Sequence, residues 1–175
     1  MTTITIGEVA PAFDLPDTEG ARHTLGGAPA TVVVFTCNHC PYALAWHDRL
    51  LAVARDYADR GARMVMINSN DAERYPRDSF DAMRERVRAD GGWPVPYLRD
   101  EDQSVARAYS ALTTPDVFVV DAGGTVAYRG APDADSRDPS LDAEWLRAAL
   151  DDVLAGRPVE RPETKPVGCS VKWRG

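Results

Sequence analysis

The sequence of 175 residues is long enough for one domain with a hydrophobic core, and 44% hydrophobic and 27% charged residues are typical of globular proteins. The formal net charge of -7 disfavours nucleic-acid binding, because a phosphate backbone requires a basic patch that this sequence lacks. The N-terminus lacks the pattern of a signal peptide, and no later apolar run is long enough for a membrane span. We therefore predict a cytoplasmic protein with neither a nucleic-acid nor a membrane partner.

Apolar and β-branched runs indicate the strands, and apolar residues at helical spacing indicate the helices. The predicted strands are 31–35, 64–67, 96–98, 117–120 and 125–128, and the predicted helices are 41–60, 76–87, 104–112 and 141–154. The first strand is apolar without alternation, as expected for a strand buried on both faces. Helices that connect the early strands require parallel pairing there, whereas the turn 121–124 predicts an antiparallel hairpin. The sequence therefore predicts an α/β fold with a central mixed sheet flanked by helices.

The segment Cys37-Asn38-His39-Cys40 follows the first strand and precedes the first helix. Three cysteines are too few for a framework of structural disulfides, so their chemistry is expected to be redox or metal binding. Two cysteines three residues apart on a helical turn can form a disulfide. If Cys37 lies at the helix N-terminus, the helix dipole lowers its pKa, so we predict that Cys37 attacks and Cys40 resolves. We expect Cys37 to be the more acidic and more exposed thiol, and His39 to tune the reduction potential.

The opening Gly7-Glu8-Val9-Ala10-Pro11-Ala12-Phe13-Asp14-Leu15 resembles that of redoxin domains, the thioredoxin-like group that includes alkyl hydroperoxide reductases and thiol-specific antioxidants. The segments 37–42, 68–71, 114–116 and 168–173 resemble one cytosolic branch of that group. The resemblance covers essentially the whole chain and implies a thioredoxin fold with an N-terminal redoxin extension. It also implies that Pro115 is a cis proline facing the dithiol and that Thr114 and Pro115 bind substrate.

The first functional hypothesis is a thiol-disulfide oxidoreductase in which the Cys37/Cys40 dithiol reduces or exchanges disulfides, with an unidentified thiol reductant and no cofactor. The substrate would be a protein or small molecule that carries a disulfide. A second hypothesis is a thiol peroxidase. However, peroxiredoxins carry a proline and a hydroxyl residue where this sequence has Ala30 and Val34. A third is a metal-binding or redox-sensing module. A second half of such a metal site would have to come from Cys169, His23 or His47, and no metal is predicted.

Residues 1–156 are predicted to form the redoxin domain and residues 157–175 an extended C-terminal tail packed on it. The tail contains three prolines, and its apolar Val171 and Trp173 need a surface on which to dock. Cys169 lies in this tail and is either a packing residue or a possible third thiol. An extended tail is long enough to reach the dithiol, and we predict that Cys169 lies near Cys37.

Overall fold

The computed structural model describes residues 3–175, which form a mixed α/β fold of the thioredoxin type. The strands are β1 Asp14–Pro16, β2 Arg22–Thr24, β3 Ala30–Phe35, β4 Ala62–Asn68, β5 Tyr97–Arg99, β6 Thr113–Thr114, β7 Asp116–Asp121, β8 Val126–Gly130 and β9 Cys169–Ser170. The α-helices are α1 Pro41–Ala58, α2 Phe80–Ala89, α3 Ser104–Ala108 and α4 Glu144–Leu154. No helix within these residues is long and apolar enough to cross a membrane.

The central sheet has the strand order β5-β4-β3-β7-β8, which confirms the predicted mixed sheet. Strands β3, β4 and β5 are parallel, and β7 and β8 are antiparallel to their neighbours. Strand β3 lies at the centre and is buried on both faces. Its Val32 and Val34 pack under α1, α2 and α4, whereas Val33 and Phe35 pack under α3 and the N-terminal segment. The carboxyl end of β3 therefore delivers the following residues to the edge of the core.

Several predicted helices are longer than the observed ones, and local chemistry explains the differences. The predicted helix 76–87 is a 3-10 turn at Pro76–Asp78 followed by α2, because the Ser79 hydroxyl accepts the Ala82 N–H at 3.1 Å and caps a new helix. The last helix begins only at Glu144, after Ala143 adopts a left-handed conformation with φ of 55°. Because α2 begins only after Ser79, Asp78 lies on the preceding 3-10 turn and not within α2.

A buried ion pair lies directly after Pro115. The Asp116 carboxylate is fully buried, and its Oδ2 atom accepts the Leu112 N–H at 3.0 Å and lies 3.3 Å from Arg129 Nη2. Its Oδ1 atom has no hydrogen-bond partner among residues 3–175. Burial raises the pKa of Asp116 to about 6, although Arg129 opposes this shift. The folded protein consequently binds this proton more tightly than the unfolded chain.

We therefore expect Asp116 to make the stability pH-dependent. Its contribution is complete below about pH 4 and is lost as the pH rises through 6, because the folded pKa exceeds the unfolded value. Relative to Asp116→Asn, the wild type should lose roughly 3 kcal/mol of unfolding free energy between pH 4 and 7. Urea unfolding of both proteins across this range measures the difference. Parallel pH profiles would contradict the assignment.

Candidate active site

The two cysteines of the motif lie between β3 and α1. Helix α1 begins at Pro41, where the missing N–H of proline costs no hydrogen bond, and its N-cap residue is Cys40. The positive end of the helix is therefore next to Cys40, whereas Cys37 lies three residues before it. The sequence prediction that Cys37 lies at the helix N-terminus is wrong, because the helix starts after the motif.

The two thiols are free, in contact with each other and buried. Their residues are 1% exposed at Cys37 and 0% at Cys40, so the expected difference in exposure is absent. The Cys37 Sγ atom lies 3.4 Å from Thr114 Oγ1. When protonated, the Cys40 thiol donates to the Thr114 carbonyl at 3.2 Å. A substrate disulfide can therefore reach the two sulfur atoms only after a covering segment of the protein moves.

The two thiols interact closely enough that the pair is expected to hold a single negative charge. The Cys40 thiol donates to the Thr114 carbonyl, and this bond stabilises the protonated form of Cys40. The Cys37 sulfur lies beside the Thr114 hydroxyl, which can donate to a thiolate, whereas burial and the charge of Asp78 oppose a thiolate there. The greater acidity of Cys37 stays a prediction from the sequence.

The predicted substrate residues Thr114 and Pro115 lie beside the dithiol, and the peptide bond between them is cis. Thr114 contacts both sulfur atoms, through its hydroxyl to Cys37 and through its carbonyl to Cys40. The structure thus brings together four of the predicted site residues. The backbone of Thr114 is already paired, however, because β6 forms a two-stranded sheet with β9.

The His39 ring does not take the predicted place beside a thiolate. Its Nδ1 atom lies 2.7 Å from Asp78 Oδ2, an ion-pair contact without the alignment of a hydrogen bond, and its ring stacks on Tyr75 with centroids 5.6 Å apart. The backbone N–H of His39, and not its ring, donates to Cys37. The His39 side chain therefore contacts Asp78 and Tyr75, and its effect on the reduction potential stays a prediction from the sequence.

Asp78 is a site residue that sequence reasoning missed. Its carboxylate is fully buried and accepts the backbone N–H of Asn38 at 2.7 Å and the side-chain amides of Asn68 and Asn70, each at 3.0 Å. The charge of Asp78 contributes to the raised pKa of Cys37, after the larger effects of Cys40 and burial. No local pattern marks Asp78, because its donors come from two other segments of the chain, at Asn38 and at Asn68 and Asn70.

Cys37, His39 and Asp78 also form a group that could hold a metal ion, since one ligand atom from each lies within 4.8 Å of the others. The two Asp78 oxygens, however, already accept hydrogen bonds from three nitrogen donors, which a metal would have to displace. His23 instead pairs with Asp17 at 2.7 Å, and His47 packs against Trp93 with ring centroids 4.5 Å apart. The geometry favours thiol chemistry over metal coordination.

The loop of the motif is fixed from outside by Arg86 and Tyr97. Arg86 Nη1 donates to the Cys37 carbonyl at 3.1 Å and to Asn38 Oδ1 at 3.0 Å. The Tyr97 hydroxyl donates to the same Asn38 oxygen at 2.7 Å. These bonds hold the backbone that carries Cys37, so the sulfur atom is positioned before a substrate arrives.

Cys169 reaches the site but contacts Cys40 instead of Cys37. The register of β6 and β9 places Cys169 opposite Thr114, whose carbonyl accepts from the Cys40 thiol, so the Cys169 side chain lies next to Cys40. Its side chain packs on the cluster of Cys37, Cys40 and Ala43. Cys169 is therefore close to the dithiol, as predicted, but its contact is with Cys40 and not with Cys37.

The fold and the paired cysteines define a thioredoxin-like dithiol protein. The chain belongs to the AhpC/TSA family, whose model matches residues 6–129. This agrees with the redoxin resemblance that the sequence indicates, and the N-terminal extension and the cysteine motif lie within the matched residues.

Three known proteins illustrate the similarity. The crystal structure of a hypothetical protein from Sinorhizobium meliloti 1021 is 38% identical, with a TM-score of 0.92, and the match covers 99% of this chain and 97% of that one. The thiol-disulfide oxidoreductase ResA of Geobacillus kaustophilus is 25% identical over 130 residues, which are 71% of this chain and 68% of ResA. The thioredoxin domain of a thiol-disulfide oxidoreductase from Bacteroides vulgatus shares the fold at 18% identity, with a TM-score of 0.62 and coverage of 74% and 90%.

Proposed function

We propose that the protein is a thiol-disulfide oxidoreductase that uses the Cys37/Cys40 dithiol to reduce or exchange disulfides. The observation that carries this proposal is the contact between the two free thiols before α1, beside Thr114 and Pro115. The similarity to ResA supports the same class of reaction. The substrate would be a protein or small molecule with a disulfide, and a thiol reductant would regenerate the dithiol.

We keep Cys37 as the attacking sulfur, as the sequence predicts, because the Cys40 thiol donates to the Thr114 carbonyl and is held protonated by that bond. The Cys37 thiolate attacks one sulfur of the substrate disulfide, a mixed disulfide forms, and the other substrate sulfur leaves as a thiolate. Cys40 then loses its proton and attacks the Cys37 sulfur, which releases the second substrate thiol. The substrate is reduced by two electrons, and the Cys37–Cys40 disulfide holds the oxidising equivalents until the reductant restores both thiols.

Three assays on the purified protein distinguish the functional classes. We expect reduction of insulin disulfides with dithiothreitol as the reductant, little consumption of hydrogen peroxide, and no stoichiometric metal after purification under reducing conditions. A rate of insulin precipitation equal to that of dithiothreitol alone would overturn the proposal. Rapid peroxide consumption would favour the peroxidase reading, and bound metal would favour the metal-binding module.

Asp78 is a positioning residue in this proposal, because it holds the motif backbone through the Asn38 N–H and its buried charge opposes a thiolate at Cys37. Asp78→Asn is expected to lower the pKa of Cys37 and to speed its alkylation at neutral pH. The change also puts an amide donor against Asn68 or Asn70, which should cost about 1–3 kcal/mol of stability. Alkylation at each cysteine, followed by mass spectrometry over a range of pH, measures the first effect.

Asp81→Asn is the matched control, since Asp81 is exposed on α2 and pairs only with Arg84. It should change neither the alkylation profile nor the melting temperature appreciably. If Asp78→Asn lowers stability but leaves the pH profile of Cys37 unchanged, Asp78 has a purely structural role.

The cytoplasmic location and the division into residues 1–156 and 157–175 stay predictions from the sequence. Fractionation of cells that carry the full-length gene tests the first. The second is tested by undocking the tail and measuring whether residues 1–156 stay folded.

A further inference from the structure

The C-terminal tail covers the dithiol as a docked strand. Cys169 and Ser170 pair with Thr114 and Thr113 in antiparallel register, and the Val171 N–H donates to the Leu112 carbonyl at 3.1 Å. Gly168 lies so close to Thr114 that a Cβ atom there would be 2.3 Å from the Thr114 carbonyl oxygen. The edge of β6 is thus occupied by a segment of this chain.

Further contacts anchor the tail beyond the strand. The Lys172 N–H donates to Asn70 Oδ1 at 2.9 Å, and the Lys172 carbonyl accepts from the Asp71 N–H and from Gln103 Nε2, both at 2.8 Å. Val171 is buried, and the Trp173 ring lies under the Arg107 guanidinium. These contacts hold Cys169 at the dithiol as a defined element of the site.

Within this docked strand, the Cys169 side chain packs against the cluster of Cys37, Cys40 and Ala43, and its thiol lies within hydrogen-bonding reach of the Cys40 sulfur. Cys40 is therefore bracketed by two thiols, Cys37 from the motif and Cys169 from the tail. Either can attack the Cys40 sulfur when Cys40 is part of a disulfide, provided that it first loses its proton, because the attacking species in thiol-disulfide exchange is the thiolate. Burial raises the pKa of Cys169, so its attack is expected to become faster as the pH rises.

Building on the proposed function, we infer that Cys169 is a third redox-active thiol that replaces Cys37 as the disulfide partner of Cys40. In this step Cys169 loses its proton and its sulfur attacks Cys40 in the Cys37–Cys40 disulfide. The Cys37–Cys40 bond breaks, the Cys40–Cys169 bond forms, and the Cys37 sulfur leaves and takes up a proton. No net oxidation occurs, since the exchange uses the disulfide that reduction of a substrate has already produced.

The exchange has a structural consequence. A Cys40–Cys169 disulfide ties β9 covalently to the start of α1, so the tail can no longer leave the Thr114 edge. The oxidised protein would then exist in two forms, one with a releasable tail and one in which the site is closed and Cys37 is a free thiol. The reductant would have to open the second form before another substrate could bind at this edge.

The test begins with Cys37→Ser, in which Cys40 and Cys169 are the remaining cysteines. Treatment with oxidised glutathione, a small dialkyl disulfide, should give an intramolecular Cys40–Cys169 disulfide after release of two glutathione thiols. Trypsin cleaves the wild-type sequence after Arg22 and after Arg49, so both motif cysteines lie in the peptide 23–49, whereas Cys169 lies in a different peptide. A Cys40–Cys169 link therefore joins two peptides in a non-reducing digest, and a Cys37–Cys40 link does not.

Two variants serve as controls. Cys40→Ser keeps Cys37 and Cys169, and we expect it to remain largely as glutathione adducts, with at least about tenfold less peptide linkage than Cys37→Ser. Cys169→Ser should form only the link within the motif peptide. Circular dichroism of each reduced variant establishes that it is folded.

The outcomes separate this inference from the proposed function. If folded Cys37→Ser gives only glutathione adducts while the wild type reduces insulin, Cys169 is a packing residue and the oxidoreductase proposal stands. If Cys40→Ser links as readily as Cys37→Ser, the contact with Cys40 is not selective and the inference is overturned. If the Cys40–Cys169 link forms but the wild type does not reduce insulin, the pairing is supported and the proposed function fails.

Discussion

A variant that keeps Cys37 as its only cysteine is expected to react with an aromatic disulfide reagent at pH 6 at least about tenfold faster than one that keeps only Cys40. The first protein is Cys40→Ser/Cys169→Ser and the second is Cys37→Ser/Cys169→Ser. The Cys37 sulfur lies 3.4 Å from the Thr114 hydroxyl, which can donate to a thiolate, whereas the Cys40 thiol donates to the Thr114 carbonyl at 3.2 Å and is stabilised in its protonated form. Serine at position 40 retains a hydroxyl that can replace the thiol as the donor to this carbonyl.

Release of thionitrobenzoate, followed by absorbance from pH 4 to pH 9, measures both rates. The same two variants unfolded in guanidinium chloride are the reference, and there the rates should be nearly equal because the contacts with Thr114 are lost. Should the Cys40-only protein be the faster one when folded, the attacking sulfur is Cys40 and the assignment of roles is wrong.

The second large effect concerns Gly168. Gly168→Ala is expected to undock the tail and to speed alkylation of the dithiol by iodoacetamide by about tenfold or more. The reason is steric: the new Cβ would lie 2.3 Å from the Thr114 carbonyl oxygen and 2.7 Å from the Thr114 carbonyl carbon, and neither backbone atom can move freely. A tenfold change corresponds to about 1.4 kcal/mol of lost docking free energy.

Gly175→Ala is the matched control, because a Cβ there meets nothing within 4 Å. Both variants are compared with the wild type in alkylation rate and melting temperature. If Gly168→Ala melts much earlier than the wild type, Val171→Ala is a milder substitute that weakens docking without touching the Thr114 edge. Alkylation at the wild-type rate in both tail variants would show that the tail does not limit access to the dithiol.

Much of the fold can be predicted from local sequence because its central elements have strong patterns. The apolar run before the motif predicts β3, the helical spacing after Pro41 predicts α1, and the turn near Gly124 predicts the β7–β8 hairpin. The predicted helix bounds are wrong where a single residue determines the start of a helix. Ser79 starts a new helix, and Ala143 delays α4, and neither effect has a periodic signature.

The site was less predictable, because its chemistry depends on contacts between distant segments. The pairing of Cys37 and Cys40 follows from their spacing, but their burial and their different contacts with Thr114 depend on the fold. Asp78 lies 40 residues from Asn38 and is identified only when the fold brings their hydrogen bond together. The contact between Cys169 and Cys40 likewise depends on the register of β9 against β6, which no pattern in the tail specifies.

The docked strand β9 also sets a threshold for any extended substrate that would use the Thr114 edge. A tethered segment acts at an effective concentration that is of millimolar order for a short flexible connection. A free peptide of equal intrinsic affinity, present at micromolar concentration, would therefore occupy the edge only about one thousandth as often as the tail. Productive partners must bind more strongly than β9 or must approach the sulfur atoms while the tail is detached, so the tail acts as a competitive filter on substrates.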